Sequence, residues 1–318
     1  MAKKRKYKKK RKSEGVYTIV MFLIAIVLFF ILKIDPSLLE DIKMPEYNLP
    51  EATFTKGEMS VHFIDVGQGD SILIRLPLDN EEKYKNILID SGESGNGKKI
   101  INYLENLGIS TLDALIASHP HSDHIGSMDE IIRRFNIKSF YMPPFPESLT
   151  PITSSYEDML DELNLKGIKI RELKEGDVLK SLTEGIACAR LSVLAPEKDA
   201  KVSDLNNVSL IMKLQFGEVS FLFTGDAEME EYESIKGKIG RVDVLKAGHH
   251  GASNANGKEL LYELRPEYTV ISCGKNNDYG HPHNSVLNTF KKIGTEIFRT
   301  DLKGTIVIKT DGTKIITE

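Results

Sequence analysis

Residues 59–318 predict a layered α/β domain, on three observations. Short β-rich runs recur along the chain, several of them apolar on both faces, as expected of strands covered by helices. Helix-like stretches alternate with these runs, which is the pattern of packed α and β layers. Seven of the eight histidines fall in three tight clusters at the ends of strand-like runs, where loops project ligands from a rigid base. With 318 residues, 41% hydrophobic and 28% charged, the chain can bury a core without staples. Two cysteines, Cys188 and Cys273, exclude a disulfide-rich scaffold and a Cys-built zinc site. One disulfide is the most they allow, and buried thiols are the default.

The N-terminal segments come first. Residues 1–12 carry nine Lys or Arg and no acid, and Val16 to Leu32 is a run of seventeen residues without charge, Gly or Pro. That length just crosses a thin bilayer core as a helix. We read 1–15 as a basic cytoplasmic tail, 16–34 as a single-pass transmembrane anchor in the lipid bilayer, and the body beyond as extracytoplasmic, because positive charge stays inside. A cleaved secretory signal is the alternative, with the body secreted. Lys33, Ile34, Asp35 and Pro36 follow the run instead of the small residues of a cleavage site. The basic run also resembles a nucleic-acid-binding arm, although orientation and anionic-lipid contact suffice to explain it. Residues 35–58, with Pro36, Pro45 and Pro50, read as a tether. From Asp35 onward 45 Asp and Glu face 32 Lys and Arg, so the body is acidic by 13.

From Met59 the strand-like runs are SVHFIDV, SILIRL, NILID, LDALIAS, FLFTGD, VDVLKAG, YTVISCG and GTIVIKT. Helix-like stretches lie near 98–107, 127–135, 154–165, 227–236, 257–264 and 284–293. After LDALIAS comes His119-Pro-His121-Ser-Asp123-His124. Neutral imidazoles and a carboxylate suit Zn²⁺ and tolerate Mn²⁺ or Fe²⁺. Asp226 ends the apolar strand FLFTGD, where a lone carboxylate is costly to bury without a cation or donors. It also reads as an N-cap for the helix that follows. The pair His249-His250 closes VDVLKA before Gly251, and spacing does not say which imidazole would bind a metal. His62 sits within an alternating strand and reads as packing.

These motifs resemble a known family. HPHSDH matches the HxHxDH motif of the metallo-β-lactamase superfamily, and HFIDVGQGDSILI is similar to the opening of the soluble hydrolase domain of ComEC-type competence proteins, which act in DNA internalisation. NILIDSG, SHPHSDHIGS, NNVSLIMKLQFGEVSFLFTGD, VDVLKAGHHGAS and YGHPH follow in that domain's order, covering about residues 59–317. The resemblance implies a four-layer αβ/βα sandwich with two divalent metal ions at one edge, Zn²⁺ first and Mn²⁺ as the alternative. It assigns His119 and His121 to one ion, Asp123 and His124 to the other, Asp226 to both, and one of His249 and His250 to complete the second. Where many members carry a further histidine for the first ion, this chain has Asp204-Leu-Asn206-Asn207-Val-Ser209, so Asn207 is expected to offer a weak amide ligand or a substrate contact. Gly67, Gly69 and Asp70 read either as a tight turn or, with Asp65 and Gln68, as lining and bracing the metal cleft. Asp90 is expected beneath the metal loop, and His281 and His283 are expected to contact a phosphate or protonate a leaving group.

Two ions sharing Asp226 would make a bridging hydroxide near neutral pH and polarise the electrophile, with Asp123, Asp226 and His281 as the catalytic set. The absence of a GxSxG elbow argues against a covalent route. The resulting expectation is a membrane-anchored, outward-facing phosphodiesterase or nuclease acting on DNA. One alternative is a cell-surface phosphorylcholine-esterase-like enzyme, although no choline-binding repeats are present. A catalytically inactive scaffold binding DNA or a partner is the reading from another class.

Overall fold

The structure, a computed structural model, describes residues 57–79, 83–198 and 202–317. The basic tail, the apolar run and nearly all of the tether lie outside the described residues. Among the described residues no helix is long and apolar enough to cross a membrane.

In chain order the strands are β1 (Met59–Phe63), β2 (Ile72–Pro77), β3 (Tyr84–Ile89), β4 (Thr111–Leu112), β5 (Ala114–Ile116), β6 (Asn136–Ile137), β7 (Phe140–Met142) and β8 (Ile170–Glu172). There follow β9 (Ala189–Ala195), β10 (Ile211–Phe216), β11 (Val219–Phe223), β12 (Val244–Lys246), β13 (Tyr268–Ile271), β14 (Glu296–Arg299), β15 (Ile306–Thr310) and β16 (Ile315–Thr317). The helices are α1 (Gly97–Asn106), α2 (Ser122–Ile125), α3 (Met128–Arg134), α4 (Ser154–Leu165), α5 (Lys180–Thr183), α6 (Met229–Ile235), α7 (Lys258–Leu264), α8 (Asn284–Ile293) and α9 (Thr300–Lys303). All six helical stretches expected from the sequence are present within two residues of their expected ends.

Two large sheets hold the fold, ordered β16-β15-β1-β2-β3-β5-β7-β8 and β14-β13-β12-β11-β10-β9. Strand β15 returns to pair with β1, and β16 pairs with β15, so the chain closes the first sheet after building the second. Strand alternation sorts residues between three cores. Ile72, Ile74 and Leu76 of β2 face Phe221 and Phe223 of β11 in the core between the sheets, whereas Leu73 points outward onto α1, α3 and α4. Leu222 and Leu245 point the other way, onto α6, α7 and α8. The result is four layers, αβ/βα, and each buried aromatic or aliphatic side chain contributes about 1.5–3 kcal/mol by leaving water. Helix α8 shows how sequence specifies a layer: Val286, Leu287, Phe290 and Ile293 fall on one face, and Gly294 at φ 80° ends the helix in the left-handed region.

This topology sets where chemistry can occur. Strands β3, β5 and β7 run parallel, as do β11 to β14, and their carboxyl ends release the loops that carry the histidines. Both cysteines are free, with Cys273 buried and its thiol pushed up to about 12 by burial.

Candidate metal centre

Loops from four strand ends bring the histidines and carboxylates to one cleft. The segment after β5 brings His119 and His121, and the short α2 carries Asp123 and His124. Asp226 follows β11, His249 and His250 follow β12, and His281 lies in the loop after β13. A cleft of about 320 Å³ is lined by His121, Asp123, Asp226, His249, His250 and His281, together with Gln68, Ser122, Asn206 and Tyr279.

The innermost atoms approach closely. His250 Nε2 stands 3.1 Å from Asp123 Oδ2 and 3.4 Å from Asp226 Oδ2, while His124 Nε2 stands 3.3 Å from Asp226 Oδ1. One donor atom each from Asp123, His124, Asp226 and His250 falls within 4.8 Å of all the others. His124 Nε2 and Asp226 Oδ1 are buried and have no hydrogen-bond partner, an expensive condition unless a cation satisfies both. The donor set and its unsatisfied atoms therefore fit a divalent ion with nitrogen and oxygen ligands.

The opposite ring nitrogens are anchored. His250 Nδ1 donates to the Ser272 carbonyl at 3.0 Å, which turns Nε2 into the cleft, where it hydrogen-bonds Asp123 Oδ2 at 3.1 Å. His124 Nδ1 lies 2.8 Å from Asp90 Oδ2, and Asp90 also accepts from the Ser118 amide at 2.8 Å and hydroxyl at 2.7 Å. Asp90 thus sits beneath the metal loop and orients it, at a φ of 61° that few non-glycine residues adopt. His119 and His121 approach each other at 3.0 Å through Nε2 and Nδ1, beside the inner four.

Electrostatics follow from three carboxylates sharing a buried space with imidazoles. Burial alone would strip His124 and His250 of charge. Asp226 and Asp123 override it, and both imidazoles are held well above their usual range. Burial would likewise raise Asp226, but His250 and His124 hold its carboxyl well below its usual range. Burial and the neighbouring His124 charge push His119 far down. His281 falls to about 4 through burial and the nearby His249 and His250.

Not every expected residue lies in the cleft. Asp65 faces a separate recess, pairing with Lys99 at 3.1 Å and accepting from the Gly67 amide. Asn207 turns its side-chain oxygen to the Glu228 amide at 3.1 Å, and Asn206 is the asparagine that lines the cleft. The Leu205–Val208 turn rotates one side chain in and the other away. His283 Nδ1 accepts from the Ser253 amide, outside the lining, whereas Gln68 lies at the rim and accepts from the Gly274 amide. The N-cap of α6 is Glu228, so Asp226 has no capping role. His62 is buried against Ser60 and Tyr103.

Asp70 is a brace. It is fully buried with Lys246, 2.5 Å away, an ion pair joining the β1–β2 loop to the end of β12. Burial would raise Asp70, yet Lys246 holds it at about 2. Gly69 makes the loop's approach to the site possible: at φ 113° its missing Cβ would meet the Asp123 carbonyl at 2.1 Å. Lys246 escaped the reading of the sequence because LKAG looks like an ordinary strand end.

Residues 64–195 match the Metallo-beta-lactamase superfamily. That segment of the chain belongs to the superfamily. Among curated relatives, ComE operon protein 3 of Bacillus subtilis is 34% identical over 267 residues, covering 78% of this chain and 33% of its own length. Recombination protein 2 of Haemophilus influenzae is 28% identical over 257 residues, covering 79% of this chain and 29% of its own length. This chain thus spans about a third of the curated relatives it matches. Two solved structures share its fold. Igni18, a metallo hydrolase from Ignicoccus hospitalis, is 16% identical with a TM-score of 0.51, covering 79% of this chain and 98% of that one. CmlA, a diiron beta-hydroxylase from Streptomyces venezuelae, is 15% identical with a TM-score of 0.52, covering 80% and 55%. A metallo hydrolase and a diiron beta-hydroxylase share the fold of this chain, so its chemistry must be argued from the site.

Proposed function

We propose that the chain is a metal-dependent phosphodiesterase acting on DNA at the outer face of a membrane, tethered by its N-terminal apolar run. The observation that carries the proposal is the open, carboxylate-and-imidazole cleft in which the Nε2 atoms of His124 and His250 converge with the carboxylates of Asp123 and Asp226. The similarity to competence and recombination proteins supports DNA as the substrate class.

Asp123, His124, Asp226 and His250 would hold one ion, while His119 and His121 with Asp226 would hold a second less tightly, since Asn207 is engaged elsewhere. When bound, such ions supply an activated water and charge neutralisation on a phosphoryl oxygen. Asp90 and the Ser272 carbonyl keep the two imidazoles aimed, so the donors need no reorganisation. His281, neutral through most of the acid range, stands ready to accept a hydrogen bond or a proton at the lip. The acidic body confines attraction for a polyanion to the cleft itself.

The full-length chain in detergent, supplied with Zn²⁺ or Mn²⁺, should release product from bis(4-nitrophenyl) phosphate and nick or degrade DNA. Phosphocholine esters turned over in preference to DNA would favour the esterase alternative. No turnover with any cation would leave a scaffold.

Metal binding should also be proton-linked. His124 and His250 hold protons above the usual imidazole range, and each must lose one to bind an ion, so affinity should rise about tenfold per pH unit for each proton expelled. Calorimetry in buffers of different ionisation enthalpy reads this directly, and an affinity unchanged between about pH 6 and 8 would contradict it.

A further inference from the structure

We propose that Tyr279 is the stacking platform for the nucleobase next to the scissile phosphodiester, an inference that rests on the phosphodiesterase reading. Tyr279 is 64% exposed, a large aromatic left in water at the rim of the cleft. Its ring lies nearly parallel to His281, 21° apart with centroids at 5.6 Å, so one face is backed and the residue still offers substantial surface to solvent. His281 in turn meets His249 edge-on at 5.6 Å, so rings run without a break from the metal-facing histidines to the rim.

The platform is fixed in place. Asn277 accepts from the His281 amide at 2.9 Å and donates to the His281 and Gly274 carbonyls at 2.6 and 2.9 Å. These bonds pin both ends of the loop carrying Tyr279, which reduces the ordering cost of binding. A phosphodiester alone needs only cations and donors, and nothing in its chemistry calls for a flat exposed ring. A nucleobase does, because every base has a π-face that stacks on an aromatic side chain. Bases inside a duplex are already stacked, so the platform selects single strands and frayed ends. A quaternary ammonium also seeks aromatic faces, but it is best held by rings that surround it, and here a single face is offered.

The test compares the full-length chain with Tyr279→Ala and Tyr279→Phe in the presence of Mn²⁺. Thymidine 5′-(4-nitrophenyl) phosphate and methyl 4-nitrophenyl phosphate share a leaving group and differ in the base. Tyr279→Ala should lower the thymidyl-to-methyl ratio of kcat/KM by about 5- to 150-fold, chiefly through KM, and Tyr279→Phe should restore it. An unchanged ratio, a Phe variant as weak as Ala, or a greater loss on 4-nitrophenyl phosphocholine would overturn the inference. Should the parent hydrolyse neither ester, the phosphodiesterase reading fails. Binding then decides the platform separately: preference for oligo-dT over an abasic strand of equal length should vanish in Tyr279→Ala, and its persistence would refute stacking.

Discussion

Replacing Asp226 with Ala should reduce metal-dependent hydrolysis by roughly 10³-fold or more, the several kcal/mol of charge stabilisation that a bound ion provides. Asp226 is buried, and its two oxygens lie within 3.5 Å of Nε2 atoms on His124, His249 and His250. Among the described residues, no other carboxylate pairs with all three rings. Its loss should therefore lower bound metal per chain together with activity. Asp226→Asn, which keeps shape and removes charge, should behave nearly as badly while retaining the far-UV spectrum of the parent. Both imidazoles owe their raised proton affinity to Asp226 in large part, so the pH dependence of metal binding should flatten as well. An Asp226→Ala protein with parental activity would remove this carboxylate from the centre.

The second large effect is on stability. Lys246 is fully buried, and Asp70 is its carboxylate partner across the two halves of the domain. Removing either partner leaves an uncompensated buried charge, at a cost of about 3–5 kcal/mol. The double variant Lys246→Met with Asp70→Asn should recover much of that loss, because the penalty belongs to the orphan rather than to the pair. The pH dependence has a definite sign. Asp70 is depressed from 3.8 to about 2, so its contribution is present above about pH 4 and is lost as pH falls through 2. The shift corresponds to about 2 kcal/mol. Denaturant unfolding reads all three variants, and single variants within about 0.5 kcal/mol of the parent would show that the pair carries no such stability.

Much of this arrangement was legible in the chain. The alternation in SILIRL and FLFTGD fixes which side chains meet between the sheets, and the amphipathic spacing of 284–293 fixes a helix, because local periodicity specifies both. Asp123, His124 and Asp226 were readable because a carboxylate at a strand end next to imidazoles has few other physical purposes. What escaped depends on contacts distant in sequence or on backbone rotation. Lys246 meets Asp70 only after the second sheet packs on the first. His249 and His250 both sit in left-handed conformations, at φ of 46° and 53°, and only the folded backbone sends His250 inward and leaves His249 partly exposed. Asn206 and Asn207 are chemically identical neighbours separated by the turn that holds them. Asp65, read beside Asp70, follows the loop to its other side and pairs with Lys99.

Anomalous diffraction from crystals grown with Zn²⁺ or Mn²⁺ tests the central claim most directly. The account predicts density among the Nε2 atoms of His124 and His250 and the carboxylates of Asp123 and Asp226, weakened or absent in Asp226→Ala. Saturating metal that leaves this quartet bare, or ions bound only at other surfaces of the protein, would contradict it.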